Sequence, residues 1–187
     1  SNAGHEMSLG APLPIAKARK QDITVEVYYT IIQKKTASLI SSCCAVGAAT
    51  AGAGEEVIDK MRNFGEKVGM AFQIKDDLFD YGKDEVGKPV GIDIKEKKMT
   101  LPLIYALNHA PLLDKKKIIY LIRNRNEDKK AVNQVIDFVK NSGGLLYAQQ
   151  VMNTYFQEAL SILAEFPASD YKVSLEALVR YTIERKK

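Results

Sequence analysis

The sequence predicts an all-α protein, and three observations favour this fold class. Apolar residues recur at steps of three and four along most of the chain, which is the spacing of one helix face. Residues that favour helix ends separate these segments, and no stretch alternates apolar and polar residues as a half-buried strand does. The 187 residues are 46% hydrophobic and 27% charged, which is the balance of a globular domain with an ordinary core.

The first helix is predicted to begin after Thr24, whose hydroxyl can cap it. It runs into residues 37–54, which carry no charge and consist mostly of small side chains. We interpret this stretch as a tightly packed core helix rather than a membrane span, because it holds few large apolar groups. The adjacent Cys43 and Cys44 are therefore expected to be buried thiols in a reducing cytoplasm, and they cannot close a useful disulfide loop.

The later helices follow from the positions of charges, glycines and prolines. A second helix is predicted from Glu55 to about Gly82, with acidic residues in its first turn. Residues 83–98 show no helical period, so we expect a long loop, and loops of this length are usually functional. Thr100 and Pro102 are typical of the start of a third helix. Four more helices are predicted over Leu112–Arg123, Asp128–Lys140, Leu145–Phe166 and Asp170–Arg185.

Composition excludes several classes of function. The chain has only two histidines, which argues against zinc sites and against histidine-dependent nucleophilic catalysis. The net charge of +4 is mild and requires no polyanionic partner. Residues 1–20 are interpreted as a tag remnant and a poorly anchored leader, and residues 21–187 as the folded part. Since no secretion signal is found in the sequence, we expect a cytoplasmic protein.

Asp76, Asp77 and Asp80 form an acidic cluster near the end of the second helix. Together with Gln73 they are predicted to share one helix flank, opposite an apolar flank. Three carboxylates at this spacing repel one another unless a cation or solvent neutralises them. Mg²⁺ suits such oxygen ligands and typically bridges one or two carboxylates to substrate phosphates. The alternative is a solvated acidic face without a ligand. The apolar flank consists of Phe72, Leu78 and Phe79.

Lysines accompany the acidic cluster along the chain. The predicted loop that follows it carries Lys83, Lys88 and Lys98. Ammonium groups beside Mg²⁺-binding carboxylates form a cradle for a diphosphate. Lys35 and Thr36 add an ammonium and a hydroxyl to the first helix, although a lysine there can also extend its charge into solvent.

Taken together, these motifs resemble the trans-isoprenyl diphosphate synthases of the polyprenyl synthetase family. Residues 35–37 are similar to that family's KTA motif, and residues 72–80 resemble its second aspartate-rich motif. Residues 87–103 resemble its GKP…D…K-x-TLPL motif. The resemblance covers about residues 22–187 and implies the C-terminal part of the isoprenoid-synthase helical bundle, with helices around an apolar cavity. Ala37 favours the long-chain branch, to which octaprenyl-diphosphate synthases belong.

The resemblance implies a role for each matched residue. The Mg²⁺ ligands on the diphosphate of an allylic substrate would be Asp76, Asp77 and Asp80. The side chains that contact the same diphosphate would be Lys35, Lys88 and Lys98. Thr36 and Gln73 would face the allylic cation that forms when diphosphate leaves. The implied reaction joins isopentenyl diphosphate to that cation and gives a polyprenyl diphosphate.

The sequence also departs from the family pattern. A first aspartate-rich motif with a following arginine pair is expected well before Lys35, and none is found there. Ile92 stands where the long-chain pattern often has asparagine, and Lys97 where glycine is common. We therefore expect a C-terminal portion of a prenyltransferase that shows little turnover by itself. The alternative is a non-catalytic helical subunit that pairs with a complete synthase and modulates it.

The expected macromolecular partner is a second copy of the chain. The resemblance implies a homodimer, and the small residues at 41–54 fit a close helix interface, although burial within one subunit explains them equally well. A nucleic-acid-binding alternative is based on short basic runs. These runs are dispersed among apolar helical stripes, so we favour solvated faces and expect no nucleic-acid partner. The basic runs are Lys115–Lys117, Lys129–Lys130 and Arg185–Lys187.

Overall fold

The computed structural model describes residues 24–82 and 90–184. These residues are largely helical and contain no strand, so the all-α prediction is confirmed. The leader and Lys88 lie outside the described residues. The helices are α1 (Val25–Ile32), α2 (Ser38–Thr50), α3 (Glu55–Phe79), α4 (Ile92–Lys95), α5 (Leu101–His109), α6 (Leu112–Asn124), α7 (Lys129–Asn141), α8 (Gly144–Ala164) and α9 (Asp170–Glu184).

Local sequence signals place the helix ends as expected. The Thr24 hydroxyl accepts a hydrogen bond from the Val27 amide at 3.4 Å, within the first turn of α1. Pro102 lies in the first turn of α5, where a missing N–H costs nothing. The Asp128 carboxylate caps α7 by accepting from the Lys130 amide at 2.9 Å. These ends depend on short-range contacts, which is why the sequence predicts them.

Two segments differ from the prediction. A π-helical turn over Gln33–Ala37, called the π turn below, interrupts the first predicted helix between α1 and α2. The predicted loop over residues 83–98 contains the four-residue helix α4. The backbone of Gly91 at φ 83° leads into α4, and the Asp80 carboxylate accepts from the Asp93 amide at 3.2 Å. Because Asp80 lies outside residues 83–98, the sequence pattern within that segment does not predict this helix.

The described residues divide into two compact units, and the first comprises residues 30–75 and 151–184. In this unit α2 packs closely on α3, where the Ser41 hydroxyl donates to the Arg62 carbonyl at 2.8 Å. Ion pairs join α3 to α8 and its C-terminal end. Lys67 Nζ lies 2.7 Å from a Glu158 oxygen, and Lys60 Nζ lies 3.0 Å from a Glu165 oxygen.

The second unit comprises residues 24–29, 76–82 and 90–150. Helix α7 is central to it, because α4, α5 and α6 all pack against α7. A continuous apolar cluster fills the space between these helices, so the unit has a core of its own. The buried members of the cluster are Tyr81, Ile94, Leu103, Ala106, Leu107, Ile118, Ile122, Val132, Val135, Ile136 and Val139.

The small-residue helix α2 is less buried than expected. Only Ser41 and Ala45, one turn apart, are buried on it. Cys43 is exposed and Cys44 half-buried, so the expectation of two buried thiols is wrong for Cys43. Ser41 and Ala45 form the stripe of α2 that meets α3, and Cys43 lies off that stripe. Burial, with the neighbouring Cys43, raises the pKa of the Cys44 thiol.

Within the described part of the chain, no helix has the length and apolarity needed to cross a membrane.

Candidate functional site

The π turn in the first unit carries two of the predicted site residues. The Thr36 hydroxyl donates a hydrogen bond to Gln73 Oε1 on α3, with the two oxygens 2.9 Å apart. Lys35 is exposed, and the described residues offer it no ion pair. π-Helical turns are rare and frequently occur at functional sites. The structure therefore brings Thr36 and Gln73 together, and the Lys35 ammonium is exposed.

Two glycines on α3 allow this close approach. A Cβ at Gly69 would lie 2.5 Å from Ala37 Cα, and a Cβ at Gly65 would lie 2.7 Å from the Ile40 carbonyl oxygen. Glycines at positions i and i+4 share one helix face, so together they form a groove that receives residues 37–41. Sequence reasoning missed this pair, although its spacing on a predicted helix is a readable signal.

Asp77, in the second unit, is a buried carboxylate near the C-terminal end of α3. It is only 7% exposed, and its Oδ2 accepts a hydrogen bond from the Tyr28 hydroxyl at 2.8 Å. Burial, reinforced by the Asp77 charge, raises the pKa of Tyr28 well above its usual value. The hydroxyl therefore stays protonated and donates to the carboxylate. A tyrosine distant in sequence thus stabilises the buried charge, and helix periodicity alone does not predict this burial of Asp77.

Asp80 also accepts hydrogen bonds from the backbone of other residues. Its carbonyl accepts from the Gly91 amide at 3.0 Å, and its Oδ2 accepts from the Asp93 amide at 3.2 Å. Burial, followed by the Asp93 charge, raises the pKa of Asp80 to about 6, although backbone N–H groups of residues 92–94 oppose the shift. Asp80 thus joins the end of α3 to α4.

Asp93 continues this connection to a lysine. Its Oδ1 accepts from Lys98 Nζ at 2.9 Å, and Glu96 contacts the same ammonium at 2.6 Å. Partial burial lowers the pKa of Lys98, but the hydrogen bonds to Glu96 and Asp93 outweigh it and raise the pKa above the usual value. Lys98 therefore keeps its positive charge. Asp93 was predicted only as part of a motif, and the structure shows it holding a site lysine.

A buried hydrogen bond between Tyr81 and Thr100 joins the chain segments before and after α4. Tyr81 Oη and Thr100 Oγ1 share a hydrogen bond at 2.6 Å, and both side chains are almost fully buried. Burial raises the pKa of Tyr81 well above its usual value. Tyr81 follows Asp80 directly and Thr100 lies two residues after Lys98, so this hydrogen bond fixes the separation of the two chain segments that carry them.

Asp76 is the remaining carboxylate of the cluster. It is half-buried, and among the described residues no hydrogen bond or ion pair occupies it. The part of the chain that the structure describes holds no group of three or more acidic, cysteine or histidine side chains placed to bind a metal ion. Mg²⁺ commonly binds through one or two carboxylates and completes its shell with water and phosphate oxygens. Asp76 fits that mode of binding.

A protein-family model matches most of the chain. The family model described as polyprenyl synthetase matches residues 1–139. The chain belongs to the polyprenyl synthetase family. The match includes the π turn, the acidic cluster and Lys98, so the predicted family is confirmed.

Individual relatives agree with the family. The chain is 34% identical over 179 residues to the short chain isoprenyl diphosphate synthase of Methanothermobacter thermautotrophicus, covering 95% of this chain and 54% of that protein. It is 32% identical over 183 residues to the heptaprenyl diphosphate synthase component 2 of Bacillus subtilis, covering 97% of this chain and 51% of that protein. The two named products differ in length, so these relatives do not assign a chain length.

A solved structure shows the same fold. The polyprenyl synthase of Caulobacter crescentus CB15, in complex with calcium and isoprenyl diphosphate, matches with a TM-score of 0.88 and 30% identity, covering 99% of this chain and 57% of that chain. The helical isoprenoid-synthase fold is thereby established for this member of the polyprenyl synthetase family. The chain spans about half the length of the curated relatives it matches.

Proposed function

We propose that this chain forms the part of a trans-prenyl diphosphate synthase that binds the diphosphate of the allylic substrate. One observation carries the proposal: Asp76, one helical turn before Asp80, presents a carboxylate that is unpaired among the described residues, and hydrogen bonds through Asp93 connect Asp80 to the Lys98 ammonium. A carboxylate for a divalent cation and a lysine for the remaining phosphate oxygens are the groups that a cation-bound diphosphate requires.

The other matched residues complete the proposal. A bound Mg²⁺ would neutralise the charge of the leaving diphosphate. We assign Lys35 and Lys88 to the same diphosphate, and retain Asp77 and Asp80 as supporting carboxylates of the metal site. Because Thr36 gives its proton to Gln73, the lone pairs of the Thr36 oxygen remain free to face the developing allylic cation.

The finer features of the function are part of the same proposal. The reaction joins isopentenyl diphosphate to an allylic diphosphate, and the buried Ala37 of the KTA motif favours a long-chain product of the octaprenyl type. The assembly is proposed to be a cytoplasmic homodimer. Whole relatives are about twice as long as this chain, which supports low turnover of the 187 residues by themselves.

The binding half of the proposal is tested with an unreactive allylic diphosphate analogue. Titration calorimetry with farnesyl thiodiphosphate, with and without Mg²⁺, is expected to show binding that depends on the cation. Asp76→Asn is expected to weaken this binding at least about tenfold, because a charge-assisted contact of about 1.5–3 kcal/mol is lost. Asp137→Asn makes the same charge change at an exposed residue of α7 and is the matched control. Equal binding by both variants would contradict the assignment of Asp76.

The turnover half is tested with farnesyl diphosphate and isopentenyl diphosphate. The chain is expected to release little elongated product alone, and robust elongation would contradict the low-turnover proposal. The alternative of a non-catalytic modulating subunit is favoured only by the length of the chain relative to its relatives. That alternative predicts no Mg²⁺-dependent analogue binding, together with a changed product length when the chain is added to a complete synthase.

A further inference from the structure

Helix α6 presents an outward face that combines large apolar side chains with basic ones. Leu112 is 66% exposed and Leu113 is 80% exposed, and Tyr120 on the same helix is 57% exposed. Three basic side chains of α6 are exposed as well. Large apolar side chains that are exposed next to one another and to charged residues are typical of an interaction surface. The outward face consists of Leu112, Leu113, Lys116, Lys117, Tyr120 and Arg123.

These side chains lie together because of helix geometry. At about 100° per residue they fall within an arc of about 140° around the helix axis. Ile118 and Ile122 occupy the opposite side and are buried in the core of the second unit. Asp114 lies outside the arc, and it lines a cleft beside α7 with Lys117 and Asp137. The acidic groups therefore adjoin only one edge of the outward face.

The positive charge of the molecule is concentrated in the same region. Residues 111–130 contain seven basic and three acidic side chains, an excess of four that equals the net charge of +4 of the whole chain. Arg125 is paired with Asp128 at 2.8 Å. In contrast, no ion pair engages Lys116 or Arg123 among the residues that the structure describes. These ammonium and guanidinium groups are free to meet an anionic surface.

We propose that the outward face of α6 docks the protein onto an anionic lipid bilayer, with the helix lying parallel to the membrane surface. On a helix that lies in the membrane interface, leucines can reach below the headgroups while the long lysine side chains extend their charged ends to the headgroup level. Charge complementarity selects this partner over a neutral surface, and the two leucines select it over nucleic acid, which offers no apolar layer. Since the described residues contain no membrane-spanning helix, the attachment is peripheral.

The inference does not rest on the proposed catalytic function, because it uses none of the diphosphate-site residues. The two are nevertheless compatible, since prenyl chains partition into bilayers. Failure of vesicle binding would leave the analogue titration of Asp76 unaffected, and the reverse also holds.

Co-sedimentation with vesicles tests the proposal on the full chain. Wild type is expected to bind vesicles of phosphatidylcholine with phosphatidylglycerol, and to bind pure phosphatidylcholine vesicles at least about tenfold more weakly. Leu113→Ser with Lys116→Gln is expected to reduce binding about tenfold or more, because each lysine near an anionic surface contributes about fivefold. Leu146→Ser with Lys140→Gln is the matched control: Leu146 is 62% exposed on α8 and Lys140 is exposed on α7.

A second variant guards against an effect on folding. Lys116→Glu with Arg123→Gln keeps both leucines and changes two exposed side chains that make no ion pair among the described residues. It is expected to abolish binding while leaving the thermal unfolding of the chain unchanged. Equal binding to both vesicle types, or equal losses in the two serine–glutamine variants, would overturn the proposal. Binding of a DNA duplex without binding of either vesicle would assign the face to nucleic acid and overturn it as well.

Discussion

Gly69 provides a direct test of how α3 supports the π turn. Replacement by alanine puts a methyl group 2.5 Å from Ala37 Cα and 3.0 Å from Ala37 Cβ. These atoms belong to the backbone and first side-chain carbon of a packed helix, so they cannot rotate away as the end of a flexible side chain can. Gly69→Ala must therefore push the two helices apart.

The expected loss of stability follows from two opposing effects. Overpacking a well-packed interior costs about 1–3 kcal/mol, and a clash with backbone belongs at the upper end of that range. Alanine regains about 1 kcal/mol over glycine in a helix interior. The free energy of unfolding should therefore fall by about 2 kcal/mol, which lowers the melting temperature of a chain of this size by about 4–8 °C.

Urea and thermal unfolding followed by circular dichroism measure this difference. Gly47→Ala on α2 is the matched control, because a Cβ at Gly47 would meet no described atom within 4 Å apart from its chain neighbours and its own helix backbone. The control is expected to gain about 0.5–1 kcal/mol from helix propensity alone. Calorimetry should also show weaker analogue binding by Gly69→Ala, since the contact between Thr36 and Gln73 lies one turn away. A Gly69→Ala protein as stable as the Gly47→Ala protein would refute the close-packing argument.

Two further predictions concern the second unit. Tyr28→Phe removes the hydroxyl that donates to the buried Asp77 carboxylate, and the free energy of unfolding should fall by about 1.5–3 kcal/mol in urea titrations. Lys97→Gly should raise the free energy of unfolding by about 1 kcal/mol in the same assay, because Lys97 has φ 57°, a conformation that costs a residue with a Cβ about 1–2 kcal/mol. The lysine loses only an exposed hydrogen bond to the Arg123 carbonyl in exchange.

Each of these variants has its own control. Tyr171→Phe removes a hydroxyl from a side chain that is 84% exposed, and it should leave the free energy of unfolding unchanged. If Tyr28→Phe also leaves the free energy of unfolding unchanged, the buried hydrogen bond has no stabilising role. Lys97→Ala loses the ammonium but keeps a Cβ. If the glycine and alanine variants at this residue are equally stable, backbone strain is not the cause.

Agreement between sequence and structure is closest where the determinants are local. The cap at Asp128 and the proline in the first turn of α5 act within a few residues, so helix ends could be predicted well. The KTA motif and the acidic cluster were found from the sequence, because the identity and spacing of their residues are what define these motifs. The burial of Asp77 was not predicted, since helix periodicity shows which residues share a face but not which face meets a neighbour.

The sequence by itself determined the helical class, most helix boundaries and the family, and it predicted the residues of the candidate diphosphate site. All of these depend on periodicity, capping or residue spacing, which are properties of contiguous chain. Only the tertiary structure decided that Asp77 and Asp80 turn inward while Asp76 has no partner within residues 24–82 and 90–184, and that Lys98 is held by Asp93. Those outcomes depend on partners far away in the chain, such as Tyr28 for Asp77, and on the space that packing leaves between helices.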